Sequence, residues 1–203
     1  MRHPTAGIIL AAGRATRFGR PKQLLKLRDK PLIEWVLDAA LESDLARVIL
    51  VLGYHGANIQ QVLGTKIAHP RVQVVTNHRY QDGLSRSLQA GLRSAQNGFP
   101  SVMFLLGDQP LVDPATIDHL LARFWQSDKD ICVPVYQGKR GTPTIIGQKF
   151  YPRILSLTGD IGARDLKNAH PDRILEVEVN NPLCFFDIDT PEDLAKLETL
   201  FPG

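Results

Sequence analysis

Residues 7–22 read GIILAAGRATRFGRPK, an apolar run followed by a basic loop. The run from Ile8 to Ala12 has no polar face, which predicts a short strand buried on both sides. The loop contains two glycines, four cationic side chains and no acid. Glycines let backbone N–H groups approach an anion, and Arg17 and Lys22 add charge-assisted donors. The loop therefore predicts either a triphosphate site or a basic surface loop, and its composition favours neither.

Two familiar glycine motifs do not fit this loop. A P-loop has Lys and then Ser or Thr directly after its last glycine, whereas Gly19 is followed by Arg20 and Pro21. The dinucleotide fingerprint requires glycines closer together than Gly13 and Gly19, and Pro21 would interrupt its helix. A phosphate site here would therefore be of another design.

Composition limits the class of protein. A length of 203 residues suits one α/β domain over 1–203. The formal charge of +3 is too slight to indicate nucleic acid as a partner. Cys132 and Cys184 lie far apart, which disfavours a disulfide framework or a zinc site. The first residues do not resemble a secretory signal, and no run approaches the ~18 apolar residues of a membrane helix. We expect a cytoplasmic protein without a membrane partner.

Apolar runs alternate with segments of helical periodicity. This pattern predicts a three-layer α/β/α architecture with a mostly parallel sheet. Pro134 indicates that its strand lies at an edge or carries a bulge. The predicted strands are 8–12, 47–52, 72–75, 101–106, 130–136, 174–179 and 183–188.

Three acids, like the basic loop, follow predicted strands, so we expect them to meet at one edge of a parallel sheet. Asp108 comes directly after the strand 101–106, where open α/β sheets bind ligands, so we favour a metal ligand over a turn residue. Asp187 and Asp189 share one side of the predicted strand 183–188. Either acid is a candidate to complete a metal site, and Asp189 alternatively organises the entry to the last helix.

Two loops leave alternatives open. Ser85 and Ser87 lie near the start of a predicted helix, so we expect at least one of them to cap it. The loop 159–164 carries two glycines, an acid and Arg164. It predicts either a turn closed by an ion pair or a loop that closes over a substrate.

Four stretches together resemble a known family. They are LAAGRATRFGRPK at 10–22, LGDQP at 106–110, GDIGAR at 159–164 and DIDTPED at 187–193. In this order they resemble the molybdenum cofactor cytidylyltransferases, nucleotidyltransferases with a glycosyltransferase-A-like (nucleotide-diphospho-sugar transferase) fold. The resemblance extends over nearly the whole chain.

The resemblance implies an enzyme that uses Mg²⁺ to move CMP from CTP to the phosphate of molybdopterin and releases pyrophosphate. A molybdenum hydroxylase is the implied recipient of the product. Residues 1–110 would mainly bind nucleotide, and 111–203 would bind the acceptor and complete the metal site. The implied catalytic residues are Arg17, Lys22 and Asp108; the nucleotide-binding residues are Leu10, Ala11, Ala12, Gly13, Arg17, Lys22, Gly83, Ser85 and Ser87; the metal ligands are Asp108, Asp189 and Asp187; and the acceptor-binding residues are Arg140, Gly141, Asp160 and Arg164.

Two positions bear on specificity within that family. Ala12 stands where guanylyl members tend to have glycine, and its Cβ would crowd a purine, which favours CTP over GTP. Thr142 stands where relatives carry His or Asn, which leaves the acceptor open. The alternatives are GTP as donor, a sugar or alditol phosphate as acceptor, and a non-catalytic chaperone that delivers a cofactor. A nucleic-acid binder is poorly supported because a continuous basic stripe is missing.

Overall fold

The computed structural model describes residues 3–13, 21–160, 162, 169–186, 188 and 190–200. Four residues of the predicted site, Arg17, Arg164, Asp187 and Asp189, lie outside these ranges. Within the described residues, none of the helices has both the length and the apolar character needed to cross a membrane.

The described strands form one large sheet and a small two-stranded ribbon. Eight strands make up the large sheet, in the order β10-β7-β9-β6-β1-β4-β5, with β8 paired to β7; β2 and β3 form the ribbon. The strands are β1 (Thr5–Ala11), β2 (Lys26–Leu27), β3 (Lys30–Pro31), β4 (Arg47–Leu52), β5 (Val72–Thr76), β6 (Ser101–Leu106), β7 (Ile131–Tyr136), β8 (Lys139–Arg140), β9 (Thr144–Gly147) and β10 (Ile174–Glu178).

The sheet is mostly parallel. β1 lies between β4 and β6 and runs parallel to both, β5 runs parallel to β4, and β10 runs parallel to β7. β9 is antiparallel to both β6 and β7. The carboxyl ends of β1, β4, β5 and β6 therefore lie at one edge, as the sequence predicted.

Helices cover both faces of the sheet. The described helices are α1 (Leu32–Glu42), α2 (Gly56–Leu63), α3 (Leu84–Ala95), α4 (Pro114–Trp125), α5 (Tyr151–Leu155) and α6 (Pro191–Leu200). Ile9 of β1 packs in a core with residues of α1, α2 and α4, whereas Ile8 and Leu10 pack in a second core with α3 and α5. Alternate residues of one strand thus serve opposite layers, because side chains alternate across a strand. The predicted three-layer fold is confirmed.

Two helix starts follow from local sequence. Asp113 accepts a hydrogen bond from the Thr116 backbone N–H at 2.6 Å, and Pro114 occupies the first turn of α4. Before α6, the Thr190 N–H donates to Asp193 at 2.9 Å, and the Asp193 N–H donates to the Thr190 hydroxyl at 3.2 Å. This reciprocal pair is a capping box, for which Thr at the cap and Asp three residues later are the sequence signal.

The predicted strand 183–188 is wrong. Pro182–Phe185 form a 3₁₀ turn, and the Asn181 side chain caps it by accepting from the Leu183 N–H at 3.0 Å. Pro182 fixes a backbone angle that suits the first turn and supplies no ladder donor. Cys184 and Ile188 of this apolar run are buried without strand pairing, so the strand from which the common side of Asp187 and Asp189 was predicted is not formed at 182–185.

Of the two alternatives predicted from Pro134, an edge strand or a bulge, the edge is wrong, since β7 lies between β10 and β9. β7 pairs with β9 at Ile131 and Cys132 and with β8 at Val135 and Tyr136. Pro134 lies between these two pairings, where its missing N–H interrupts neither ladder.

Candidate active site

The ends of parallel strands bring the first predicted groups together. The Gly107 N–H donates to the Leu10 carbonyl at 3.0 Å, so the contact between β1 and β6 continues past the end of β6. This places the turn that carries Asp108 directly beside the residues that follow β1. The expectation that both segments meet at one sheet edge holds for the described residues.

Lys22 and Asp108 form an ion pair at this edge. The Lys22 Nζ lies 2.8 Å from Asp108 Oδ2, and their side chains are 13% and 27% exposed. Lys22 begins a short 3₁₀ turn (Lys22–Leu24) directly after Pro21. Two groups 86 positions apart in the sequence thus lie within hydrogen-bond distance. The site joins a cation donor, suited to phosphate, with a carboxylate, suited to a hard metal ion.

The end of β1 is closely packed. Ala11 and Ala12 are 3% and 2% exposed, and Leu10 is 8% exposed. A side chain built on Gly53 would come within 3.0 Å of Ala12, so the residue after β4 lies against Ala12. Ala12 is therefore packed against Gly53 in this structure.

The expected capping of α3 by its serines is wrong. Ser85 is fully buried, and its hydroxyl has no hydrogen-bond partner among the described residues. The Ser87 hydroxyl accepts from the Asn77 side chain at 3.0 Å. The two N–H groups at the start of the helix instead find partners in a distant loop: Leu84 N–H donates to Asp160 Oδ1 at 3.1 Å, and Ser85 N–H donates to the Gly159 carbonyl at 3.2 Å.

Gly83 allows that loop to approach. Its φ is +99°, and a side chain there would meet the Gly159 carbonyl group within 3.0 Å. Only glycine combines the left-handed backbone with this backbone-to-backbone contact. The predicted nucleotide residue Gly83 and the predicted acceptor residue Asp160 are thus brought side by side.

The other predicted acceptor residues lie in separate contacts. Arg140 pairs with Glu176 of the edge strand β10, with 2.5 Å between Nη2 and Oε1. The Gly141 N–H donates to the Pro134 carbonyl at 3.0 Å, and its Cα faces the ring of Phe185. Structure thus gives Arg140 and Gly141 local partners that the sequence did not reveal.

Residues that sequence reasoning missed lie beside the predicted ones. Gln109 is 5% exposed and accepts from the Thr142 hydroxyl at 2.5 Å, which ties the segment after β8 to the neighbour of Asp108. Tyr54 and Tyr80 follow β4 and β5, and their ring centroids are 5.8 Å apart. Asn77 also follows β5. The sequence feature that could have identified these four residues is their position, because each follows a parallel strand.

The described carboxylates and thiols were compared as possible metal ligands. Burial raises the pKa of the Cys132 thiol to about 12, and burial together with the nearby Asp113 charge raises that of Cys184 to about 11, so both thiols are protonated at neutral pH. His, Cys, Asp and Glu form no group of three or more within the described residues. Asp108 is therefore the described candidate ligand, while Asp187 and Asp189 lie outside the described ranges.

Comparison with known proteins identifies the family. Residues 7–174 match the model of the MobA-like NTP transferase domain. The chain belongs to the MobA-like NTP transferase family. The matched span contains the basic loop, Asp108 and the whole segment that caps α3. The resemblance stated from the four sequence motifs is confirmed at the level of this family.

Curated relatives cover nearly the whole MobA-like chain at modest identity. Purine catabolism protein PucB of Bacillus subtilis is 30% identical over 201 residues, 95% of this chain and 96% of its own. Nicotine blue oxidoreductase of Paenarthrobacter nicotinovorans is 30% identical over 200 residues, 94% and 95% of the two chains. Molybdenum cofactor cytidylyltransferase of Escherichia coli is 26% identical over 189 residues, 92% and 91% of the two chains.

Solved structures share the fold. The crystal structure of Rv0371c from Mycobacterium tuberculosis H37Rv superposes with a TM-score of 0.84 at 27% identity, covering 98% of this chain and 99% of that one. The same protein in complex with manganese gives 0.77 at 28% identity, covering 97% and 98%. A nucleotidyl transferase from Methanothermobacter gives 0.80 at 24% identity, covering 97% of each chain. The predicted glycosyltransferase-A-like fold is confirmed.

Proposed function

We propose that this member of the MobA-like family transfers CMP from CTP to the phosphate of a molybdopterin-type acceptor and releases pyrophosphate. The observation that supports this most directly is the contact between Lys22 and Asp108. It joins the basic loop and the acid after β6 at one edge of the sheet. Nucleotidyl transfer requires a cation for the phosphates and a carboxylate for a metal.

The proposed reaction is a single displacement at phosphorus. An oxygen of the acceptor phosphate attacks the α-phosphorus of CTP, the bond to the oxygen shared with the β-phosphate breaks, and pyrophosphate leaves with that electron pair. The attacking oxygen is already anionic at neutral pH, so no general base is needed. Lys22, together with Arg17 as the sequence predicts, would offset the negative charge that grows on the leaving group.

The chemistry of the described residues fits a magnesium ion. Asp108 offers a hard carboxylate oxygen, partly exposed and next to the residues that follow β1. Magnesium is usually bound by one or two carboxylates and by substrate phosphates, so Asp108 with either Asp187 or Asp189 would suffice. When bound, the ion would polarise the reacting phosphate. The manganese complex of Rv0371c supports a divalent ion in this fold.

Two features support cytidine as the base. One relative is named a molybdenum cofactor cytidylyltransferase, and it matches over 92% of this chain. The segment 83–87 lies at the same sheet edge as Lys22, where the family resemblance places the base. The phosphates of the nucleotide are assigned to the basic loop and not to α3. The Asp160 carboxylate already accepts from the Leu84 N–H at the N-terminus of α3, where the helix dipole is positive.

The identity of the acceptor is proposed from the relatives and from predicted residues. Arg140, Gly141, Asp160 and Arg164 stay predictions, and Arg140 would have to leave Glu176 to reach a substrate. Thr142 links this segment to Gln109, beside Asp108. We propose a molybdopterin-type acceptor from the named E. coli relative, and a molybdenum hydroxylase as recipient of the product.

The test is a pyrophosphate-release assay with Mg²⁺, each of the four NTPs in turn, and molybdopterin or a sugar phosphate. We expect release with CTP and molybdopterin. Asp108→Asn should lower kcat by about a hundredfold or more, since it removes a charged metal ligand. Asp172→Asn, an exposed acid that precedes β10 at the opposite sheet edge, is the matched control and should retain parent activity.

The other outcomes separate the alternatives. Release with GTP would indicate a guanylyltransferase, and release with a sugar or alditol phosphate another acceptor. Binding of CTP without turnover under all conditions would favour a cofactor-delivery chaperone. Because one relative is named an oxidoreductase, NADH and NADPH oxidation is followed in parallel without NTP. No binding of any NTP would refute the proposal.

A further inference from the structure

A loop from the second half of the chain holds the start of α3. The Leu84 N–H donates to Asp160 Oδ1 at 3.1 Å across 76 residues of sequence. The Ser85 N–H donates to the Gly159 carbonyl at 3.2 Å. These two N–H groups are among those that a helix leaves without internal partners, and the serines of the helix itself do not supply them.

The same segment is tied to α3 at a second point. The buried Gln89 side chain donates to the Leu155 carbonyl at 3.1 Å and to the Leu157 carbonyl at 2.7 Å. The Arg86 guanidinium donates to the amide oxygen of Gln89 at 2.9 Å, which fixes the amide orientation. Residues 155–160 therefore follow the first two turns of α3 along their length.

We propose that Asp160 is a positioning residue for the nucleotide site, through its cap on α3, and that acceptor contact is not its main role. This inference rests on the proposed function, which places the base against Gly83–Ser87. Asp160 and Gly159 contact the backbone of that segment, and Gly83 lacks a side chain that would hold them apart. Loss of the cap frees the first turn of α3 and misplaces the groups that face the base.

The chemistry of the cap distinguishes two variants. Asp and Asn are both strong N-cap residues, whereas Ala is not. Asp160→Asn keeps an oxygen that accepts from the Leu84 N–H, and Asp160→Ala removes it. An acceptor ligand that works through its charge would be lost in both variants. Asp172→Ala is the control, because Asp172 is an exposed acid before β10 at the opposite sheet edge.

The first measurement needs no ligand. Amide hydrogen exchange of residues 84–87 should become about fivefold faster or more in Asp160→Ala, while the strands of the central sheet keep their protection. Asp160→Asn and Asp172→Ala should exchange like the parent. Unchanged exchange at 84–87 in Asp160→Ala would overturn the cap itself.

The second measurement is CTP affinity by calorimetry with Mg²⁺ and without acceptor. Asp160→Ala should bind CTP about threefold to tenfold more weakly, and Asp160→Asn within about twofold of the parent. Parent CTP affinity in Asp160→Ala, or an equal loss of CTP affinity in Asp160→Ala and Asp160→Asn, would overturn the positioning role. If the parent binds none of the four NTPs, the proposed function fails, and the positioning role of Asp160 fails with it. The exchange measurement tests the cap on α3 without nucleotide, so its result still stands in that case.

Discussion

Ala12 shows how one methyl group is placed at the end of β1. It is 2% exposed and lies against Gly53, where β4 ends. The sequence indicated Ala12 as a specificity residue because its Cβ would crowd a purine. The structure adds that Ala12 is closely packed where the ends of β1 and β4 meet.

Ala12→Gly should therefore relax the base preference. We expect the ratio of kcat/KM for CTP to that for GTP to fall by about tenfold, the scale of one methyl group in a packed pocket. The control is Ala6→Gly, which removes a methyl from the same buried strand at its other end. An unchanged ratio in Ala12→Gly would mean that Ala12 does not select the base.

The buried thiol of Cys132 makes stability depend on alkaline pH. Its ordinary pKa near 9 rises to about 12 in the folded protein because of burial. Above pH 9 the unfolded chain loses the proton first, so it binds fewer protons than the folded chain and unfolding is favoured. The contribution is fully present below pH 9 and is lost as pH rises toward 12, with a slope of up to about 1.4 kcal/mol per pH unit.

Cys132→Val should remove this part of the slope. Urea unfolding of the variant at pH 8, 9.5 and 10.5 should show a smaller decline in the free energy of unfolding than the parent. Ile131→Val changes the same buried strand without an ionisable group, and its decline should equal that of the parent. Parallel declines in all three proteins would contradict the assigned cause.

At the scale of elements, local sequence explained some helix ends and missed others. Asp113 before Pro114, and Thr190 with Asp193, are short-range signals that the sequence contains. The cap of α3 is not such a signal, because its partner lies 76 residues away. The run 183–188 had the apolar content of a strand, but Asn181 caps a 3₁₀ turn that begins at Pro182 and buries Cys184 without strand pairing.

Gly83→Ala should lower the free energy of unfolding by more than the cost of placing an alanine at a positive φ. Gly83 has φ +99° and no room beside Gly159, whereas Gly64 has φ +52° and open space within 4 Å. The positive-φ backbone costs an Ala about 1–3 kcal/mol at either site. At Gly83 the backbone of the loop must also move, so we expect a total loss of about 3 kcal/mol or more.

The measurement is urea unfolding of Gly83→Ala, Gly64→Ala and the parent at pH 7.5. Equal losses of unfolding free energy in the two variants would show that the contact with Gly159 contributes nothing to stability.

For the whole molecule, the order of apolar runs and helices predicted the layers and the mostly parallel sheet. Strand polarity then predicted that Lys22 and Asp108 meet. The partners of Asp160, Arg140 and Thr142 were not predictable, because they depend on which loops the sheet order places side by side. The assignment of 1–110 to nucleotide and 111–203 to acceptor stays a prediction, and the loop on α3 already crosses that division.

In the Lys22–Asp108 pair, each group is the counterion of the other at the proposed catalytic centre. Asp108 can accept a divalent ion only in competition with an ammonium group, whereas a triphosphate offers that ammonium another anion. Nucleotide and metal should therefore bind with positive thermodynamic linkage, each tightening the other by the same factor. Calorimetric Mn²⁺ titrations with and without a non-hydrolysable CTP analogue would measure this factor, and equal Mn²⁺ affinities would refute the linkage.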